Sequence, residues 1–152
     1  MMSGPALVSI LRQDAYLIAS VHTALDDSEM LRFQQDLVEQ IGQHRSRGVV
    51  IDVAALDVLD SFAQSTLDNI AEMARLRGAL TVIVGIRPEV AFAMVQLGMG
   101  TGSVATALDL EEGLVFLNSR ILNSRILNSR IGLTEADAGR GGRHPWARGL
   151  HP

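Results

Sequence analysis

The chain of 152 residues has the length of one domain with a tail, and it is 47% hydrophobic but only 4% aromatic. The absence of cysteine excludes disulfides, thiolate zinc sites and cysteine nucleophiles. Residues 1–117 carry 15 acidic residues and seven arginines, whereas residues 118–152 carry two acidic residues and six arginines. An acidic body with a short basic end is not the charge distribution of a nucleic-acid-binding domain.

The chain also has no sequence feature of export or membrane insertion. Its first eleven residues do not combine a basic start with a long apolar stretch, so no signal peptide is predicted. No apolar run is long enough to cross a bilayer. We therefore expect a cytoplasmic protein that has no membrane partner.

The N-terminal third has the pattern of a β-hairpin followed by an amphipathic helix. Two short apolar runs, Ala6–Leu11 and Tyr16–Val21, flank a polar turn. Asp26-Asp27-Ser28-Glu29 then has the spacing of a capping box, with Asp26 as the N-cap. Apolar residues at helical spacing follow, which predicts a helix that ends near residues 42–44.

Strands and helices alternate in the middle of the chain. Val49–Val53 is rich in β-branched residues, as is typical of a buried parallel strand. The loop Ala54–Asp60 leads into a second helix, for which Gly78 provides a C-terminal stop. Leu80–Val84 is the next buried strand, and Pro88 opens a third helix at a position that tolerates proline.

A weak strand at Ser103–Ala107 and a helix that starts at Asp109 complete the predicted elements. The apolar side of the third helix is predicted to consist of Val90, Ala91, Met94, Val95 and Leu97. The order β-β-α-β-α-β-α-β-α predicts an α/β fold with a mixed, mostly parallel sheet, an N-terminal antiparallel hairpin and four helices.

The segment Leu117–Ile131 contains three copies of Leu-Asn-Ser-Arg-Ile. On a helix a five-residue repeat turns by about 140°, so its apolar pair does not keep one face, and we expect no packed helix or strand. Residues 5–117 are therefore predicted to form the folded domain. Residues 118–152 are predicted to be a basic tail that is disordered or extends from the last helix.

The run from Asp57 to Phe62 contains the main candidate site. Asp57, Asp60 and Ser61 follow a buried parallel strand, at the end of a sheet where α/β proteins present their sites. If Asp60 is an N-cap, the Ser61 hydroxyl lies at the positive end of a helix, where a phosphoryl group is tolerated. The same spacing fits a helix cap with no further role, and the residues alone leave both interpretations open.

Other motifs give no sign of catalysis. Asp52, with the two aspartates of that run, has a weak resemblance to a Mg²⁺ site, but the chain contains no lysine for a receiver-type phosphoacceptor site. The glycine-rich Gly98–Ser103 follows a helix and precedes a strand, the reverse of a phosphate-binding loop. The four histidines have no metal-ligand spacing, and no nucleophile elbow, Walker loop or HExxH motif is present. We predict a protein that is not an enzyme and has no metal and no cofactor.

Five runs resemble the STAS domain family: residues 50–53, 59–62, 70–76, 81–91 and 95–98. Two segments within them, Glu-Met-Ala-Arg-Leu at 72–76 and Val-Ile-Val-Gly-Ile-Arg-Pro at 82–88, resemble more narrowly its stressosome branch. The resemblance covers roughly residues 5–117. It implies the STAS fold and a non-catalytic cytoplasmic scaffold in a stress-response cascade.

The resemblance also implies partners and a phosphorylation site. RsbR-type STAS paralogues would join the chain in a large assembly, and an RsbT-type serine kinase would be captured there. That kinase would phosphorylate Ser61 and then leave, and Asp57, Asp60 and Phe62 would form the partner-binding surface around the phosphosite. The family pattern gives Ser65, one turn further along, no comparable role. The alternatives are a direct anti-sigma-factor antagonist regulated at the same serine and a small-ligand or nucleotide-binding domain.

Overall fold

A computed structural model describes residues 6–99 and 104–130 and contains one five-stranded sheet and four helices within them. The strands lie in chain order across the sheet: β1 (Val8–Gln13), β2 (Tyr16–Val21), β3 (Gly48–Asp52), β4 (Leu80–Val84) and β5 (Ala105–Ala107). The helices are α1 (Asp27–His44), α2 (Ser61–Leu76), α3 (Pro88–Gln96) and α4 (Leu110–Arg130). β1 pairs antiparallel with β2, and every other pair is parallel. The predicted fold class is confirmed.

Local signals in the sequence set several of these boundaries. Asp14, at φ 54°, turns the chain so that Gln13 pairs with Tyr16. At the start of α1, Asp26 Oδ1 accepts a hydrogen bond from the Glu29 amide at 2.8 Å, and Glu29 Oε1 accepts one from the Asp26 amide at 2.8 Å. The predicted capping box is thus confirmed, as is the start of α3 at Pro88.

The two faces of the sheet are covered by different helices. Each parallel connection from β2 to β5 moves one strand along the sheet, and right-handed crossovers then place α1, α2 and α3 on one face. That face includes Leu17, Ile51 and Ile83, which pack in one core with the inner sides of α1 and α2. The opposite face, with Val50 and Val82, packs against α4 through Leu117.

The third helix buries less than the sequence predicts. Only Val90 and Met94 of α3 are buried, whereas Val95 and Leu97, predicted on its apolar side, are 75% and 73% exposed. Val90 and Met94 are four residues apart and lie on the same stripe of the helix. Only that stripe joins the core, so the prediction for Val95 and Leu97 is wrong.

The last helix continues into the five-residue repeat, for which the sequence left open a disordered segment or an extension of that helix. α4 is helical through Arg130, and none of the repeat's residue types breaks a helix. The repeat period governs burial rather than helix formation, and Leu122 is exposed. The described residues divide into two units, with the boundary between Leu117 and Asn118. The predicted tail beyond residue 130 lies outside the described residues, as do residues 100–103 of the glycine-rich connector. No described helix is long and apolar enough to cross a membrane.

Candidate functional site at the start of α2

The loop between β3 and α2 is anchored where it leaves the sheet. Asp52 Oδ1 accepts a hydrogen bond from the Ala54 amide at 2.9 Å, and the Val53 amide donates to the Val84 carbonyl at 3.0 Å. Gly85, at φ 82°, passes so close that a Cβ there would lie 2.9 Å from Ala54 Cβ. The Asp52 carboxylate therefore shapes the loop. Among the described residues, no group of three or more histidine or acidic side chains is placed to hold a metal ion.

Asp60 positions Ser61 through the local structure of a helix cap. Asp60 has extended backbone, at φ −81° and ψ 176°, and its Oδ1 accepts from the Ala63 amide at 2.8 Å. The Asp60 carbonyl accepts the helical hydrogen bond of Gln64 at 2.9 Å. Ser61 is then the first helical residue, as the Asp60 cap predicted, and it is exposed. The first-turn amides of a helix have no intrahelical acceptor, so this end of α2 favours an anion.

Every third residue of the loop before Ser61 is buried, and the residues between are exposed. Leu56 and Leu59 are buried in the core and hold the loop against the domain. Val58 is 62% exposed and Phe62 is 36% exposed. We call Asp57, Val58, Asp60, Ser61 and Phe62 the α2-start surface; all five are exposed. Two carboxylates, a hydroxyl and two apolar side chains thus lie on one short stretch of chain.

Arg87 is part of this site, although its role was missed in the sequence. Its Nη1 donates to Asp57 Oδ1, and its Nε lies 4.0 Å from Glu89 Oε2. Arg87 is the N-cap residue of α3, three residues after the end of β4, and β4 is the parallel neighbour of β3. The carboxyl ends of adjacent parallel strands share one edge of the sheet. That rule is the signal by which Arg87 could have been found.

A serine and a histidine come together elsewhere, on the hairpin. Ser9 Oγ and His22 Nε2 are 2.8 Å apart, a contact that the sequence analysis did not anticipate. Within the described residues, no carboxylate bonds to the other ring nitrogen of His22, so the pair lacks the third group of a catalytic triad. His44 lies in the last turn of α1, and the remaining two histidines lie outside the described residues.

Three features of the fold are typical of a small class of α/β domains. The strands lie in chain order, one edge strand is antiparallel, and a helix covers the second face of the sheet. The STAS domain profile matches residues 8–127. The chain belongs to the STAS domain family, as its sequence motifs suggested.

Two solved structures match most of the folded part. RsbS from Moorella thermoacetica, a variant with glutamate in place of a serine, is 34% identical with a TM-score of 0.66, over 76% of this chain and 98% of that one. A chain of the stressosome, described as a signal integration and transduction hub, is 32% identical with a TM-score of 0.61, over 74% and 98%. The predicted resemblance to stressosome STAS proteins is confirmed.

A curated relative is the RsbT co-antagonist protein RsbRA of Bacillus subtilis (strain 168), which is 32% identical over 90 residues. The match covers 59% of this chain and 33% of that protein, so the chain spans about a third of its length. Solved anti-sigma factor antagonists share the fold at 16% identity or less, which is evidence of fold alone.

Proposed function

We propose that this chain is a non-catalytic, cytoplasmic stressosome scaffold that holds an RsbT-type serine kinase and releases it when Ser61 is phosphorylated. The observation that carries the proposal is the exposed position of Ser61 at the capped start of α2, in a chain similar to RsbS. RsbR-type STAS paralogues complete the assembly.

The start of α2 suits a serine that gains and loses a phosphoryl group. The free amides of the first turn and the positive end of the helix dipole stabilise the phosphate, so the domain stays folded. The phosphate also adds about two negative charges beside Asp57 and Asp60. A kinase surface that fits the unmodified site then faces a strongly anionic site. The affinity of the kinase for this chain therefore falls.

Each neighbour of Ser61 has a distinct part in this proposal. Asp60 holds the helix start through the Ala63 amide, and Arg87 restrains Asp57. Phe62 and Val58 supply apolar area that a partner buries on binding. The kinase therefore binds an acidic surface that has apolar side chains at its rim.

Ser65 is the natural comparison within the same helix. It is exposed and lies one turn beyond Ser61. Its amide belongs to the hydrogen-bonded interior of α2, so a phosphate on Ser65 lacks the free amides of the first turn. Ser61 is therefore the only residue of α2 that the kinase modifies.

Site mapping tests the assignment. The chain is incubated with its cognate kinase and ATP, and the modified peptide is identified by mass spectrometry. Ser65→Ala should be labelled like the wild type, and Ser61→Ala should not be labelled. Undiminished labelling of Ser61→Ala would refute the site.

The mass of the complex separates the scaffold from a direct anti-sigma-factor antagonist. Mixed with its RsbR-type paralogue, the scaffold should elute as one very large particle that contains both proteins. An antagonist that acts alone should stay small and bind its anti-sigma factor without the paralogue. That second outcome would replace the scaffold function with the antagonist function.

A further inference from the structure

The α2-start surface contains two carboxylates, and Arg87 is the cation that contacts it. Within the described ranges, the pair of Arg87 with Asp57 is the only ion pair that involves this surface. The Arg87 side chain is 41% exposed and that of Asp57 is 87% exposed. Water screens the attraction of so exposed a pair, so Arg87 can change its partner at little cost in free energy.

The segments that carry Asp57 and Arg87 are packed against each other. A Cβ at Gly85, two residues before Arg87, would lie 2.9 Å from the Cβ of Ala54, three residues before Asp57. Because this contact holds the two segments together, Arg87 remains beside the loop when its ion pair breaks. Ser61 follows Asp57 by four residues, so the Arg87 guanidinium group is held on the surface that includes the Ser61 hydroxyl.

We propose that Arg87 binds the phosphoryl group of phosphorylated Ser61 and gives up its ion pair with Asp57 to do so. The inference rests on the proposed phosphorylation of Ser61. A phosphate has about two negative charges and three acceptor oxygens, whereas the Asp57 carboxylate has one charge. The planar guanidinium group donates two parallel hydrogen bonds to a phosphate, a geometry that lysine does not offer. The phosphate is therefore the stronger of the two acceptors that compete for Arg87.

The other acidic groups of this edge do not prevent the exchange. Glu89 Oε2 lies 4.0 Å from Arg87 Nε and leaves the guanidinium fork free to turn. The Asp60 carboxylate accepts from the Ala63 amide at 2.8 Å and caps α2 in both states. Asp57 is thus the group that loses its partner when the phosphate arrives.

The exchange alters the shape of the loop as well as its charge. Asp57 loses the contact with Arg87 that restrains it and is repelled by the phosphate. Leu56 and Leu59 stay buried, so the change is confined to the exposed residues between them. A kinase that binds the restrained loop then loses a fitting surface in addition to meeting new negative charge.

A chain that carries phosphoserine at position 61 from its synthesis tests the exchange without any kinase. Phosphorus NMR over a pH series follows the second ionisation of the phosphate, and a paired guanidinium group lowers the pKa of that ionisation. The phosphate should bind its second proton roughly three- to tenfold more weakly in wild type than in Arg87→Ala. Arg87→Lys should give an intermediate value. Arg75→Ala, an arginine in the last turn of α2, is the control and should match wild type.

Hydrogen exchange tests the fate of Asp57 in the same proteins. Amides between Asp57 and Ser61 should exchange faster with phosphoserine at position 61 than in the unmodified chain. Phosphoserine at position 65 should leave their rates unchanged. In Arg87→Ala, which already lacks the ion pair, phosphoserine at position 61 should add little further acceleration. Circular dichroism verifies that each protein is folded.

A phosphate that titrates alike in wild type and in folded Arg87→Ala would overturn the proposal. That result leaves the proposed function standing if the kinase still labels Ser61 and is released. Conversely, a kinase that does not label Ser61 would refute the proposed function whatever the titration shows. The two proposals therefore fail in different experiments.

Discussion

Arg87 and Asp57 form an ion pair that joins two loops at the carboxyl edge of the sheet. Asp57 lies in the loop before α2, and Arg87 is the N-cap residue of α3, so two residues that are 30 positions apart in sequence connect the segments that lead into these helices. Asp57 is largely exposed, and solvent screens the attraction. The contact therefore restrains the loop more than it stabilises the domain.

Breaking this pair should cost little stability but loosen the loop. Arg87→Ala and Asp57→Asn should each lower the free energy of unfolding by less than about 1 kcal/mol, with a coupling that shrinks as salt is added. Hydrogen exchange of the amides between Asp57 and Ser61 should become faster in both variants. Exchange that stays at the wild-type rate would show that the pair does not restrain the loop.

The cap at Asp60 should contribute measurably to stability. Asp60→Ala removes the acceptor of the Ala63 amide and should lower the free energy of unfolding by about 1 kcal/mol. Asp60→Asn keeps a side-chain oxygen at the same position and should cost much less. Urea denaturation of the three proteins measures the difference, and equal losses in both variants would contradict a capping role.

Gly85 should tolerate substitution less well than Gly78. Both have positive φ, at 82° and 88°, so alanine at either position costs about 1 kcal/mol of backbone strain. At Gly78 a Cβ meets nothing within 4 Å, whereas at Gly85 it would lie 3.1 Å from Asp52 Oδ1 and nearer still to Ala54. Thermal unfolding should therefore show a larger loss for Gly85→Ala. Equal losses would show that the loop moves aside at no cost.

The capping box of α1 should make stability depend on acid pH. Hydrogen bonds from the Glu29 amide and the Ser28 hydroxyl hold the pKa of Asp26 below its ordinary value of 3.8. A carboxylate with a lowered folded-state pKa stabilises the domain above its ordinary pKa, and this contribution is lost as pH falls through the lowered value. Asp26→Asn still caps the helix but does not titrate. Its unfolding free energy should fall less than that of wild type between neutral pH and about pH 3, and parallel curves would contradict this assignment.

Helix starts could be predicted from the sequence, because each depends on the chemistry of a few neighbouring residues. The caps at Asp26 and Asp60 and the start at Pro88 are decided within a few residues, and the structure confirms all three. The exposure of Val95 could not be predicted, because it depends on how much of α3 the core covers.

Contacts between distant residues were also beyond the sequence alone. The partner of Asp57 is set by which strand lies beside β3, and the contact of Ser9 with His22 is set by the hairpin register. The sequence alone could not fix the length of α4, because a broken apolar stripe removes packing but does not prevent helix formation.

Retention of the kinase before and after phosphorylation tests the central claim most directly. Wild type and Ser61→Ala are immobilised with the paralogue, loaded with kinase and treated with ATP, with Ser65→Ala as the matched control. We predict that ATP elutes the kinase from wild type and Ser65→Ala, whereas Ser61→Ala keeps it bound. Elution from Ser61→Ala at the wild-type rate would contradict a switch at the start of α2.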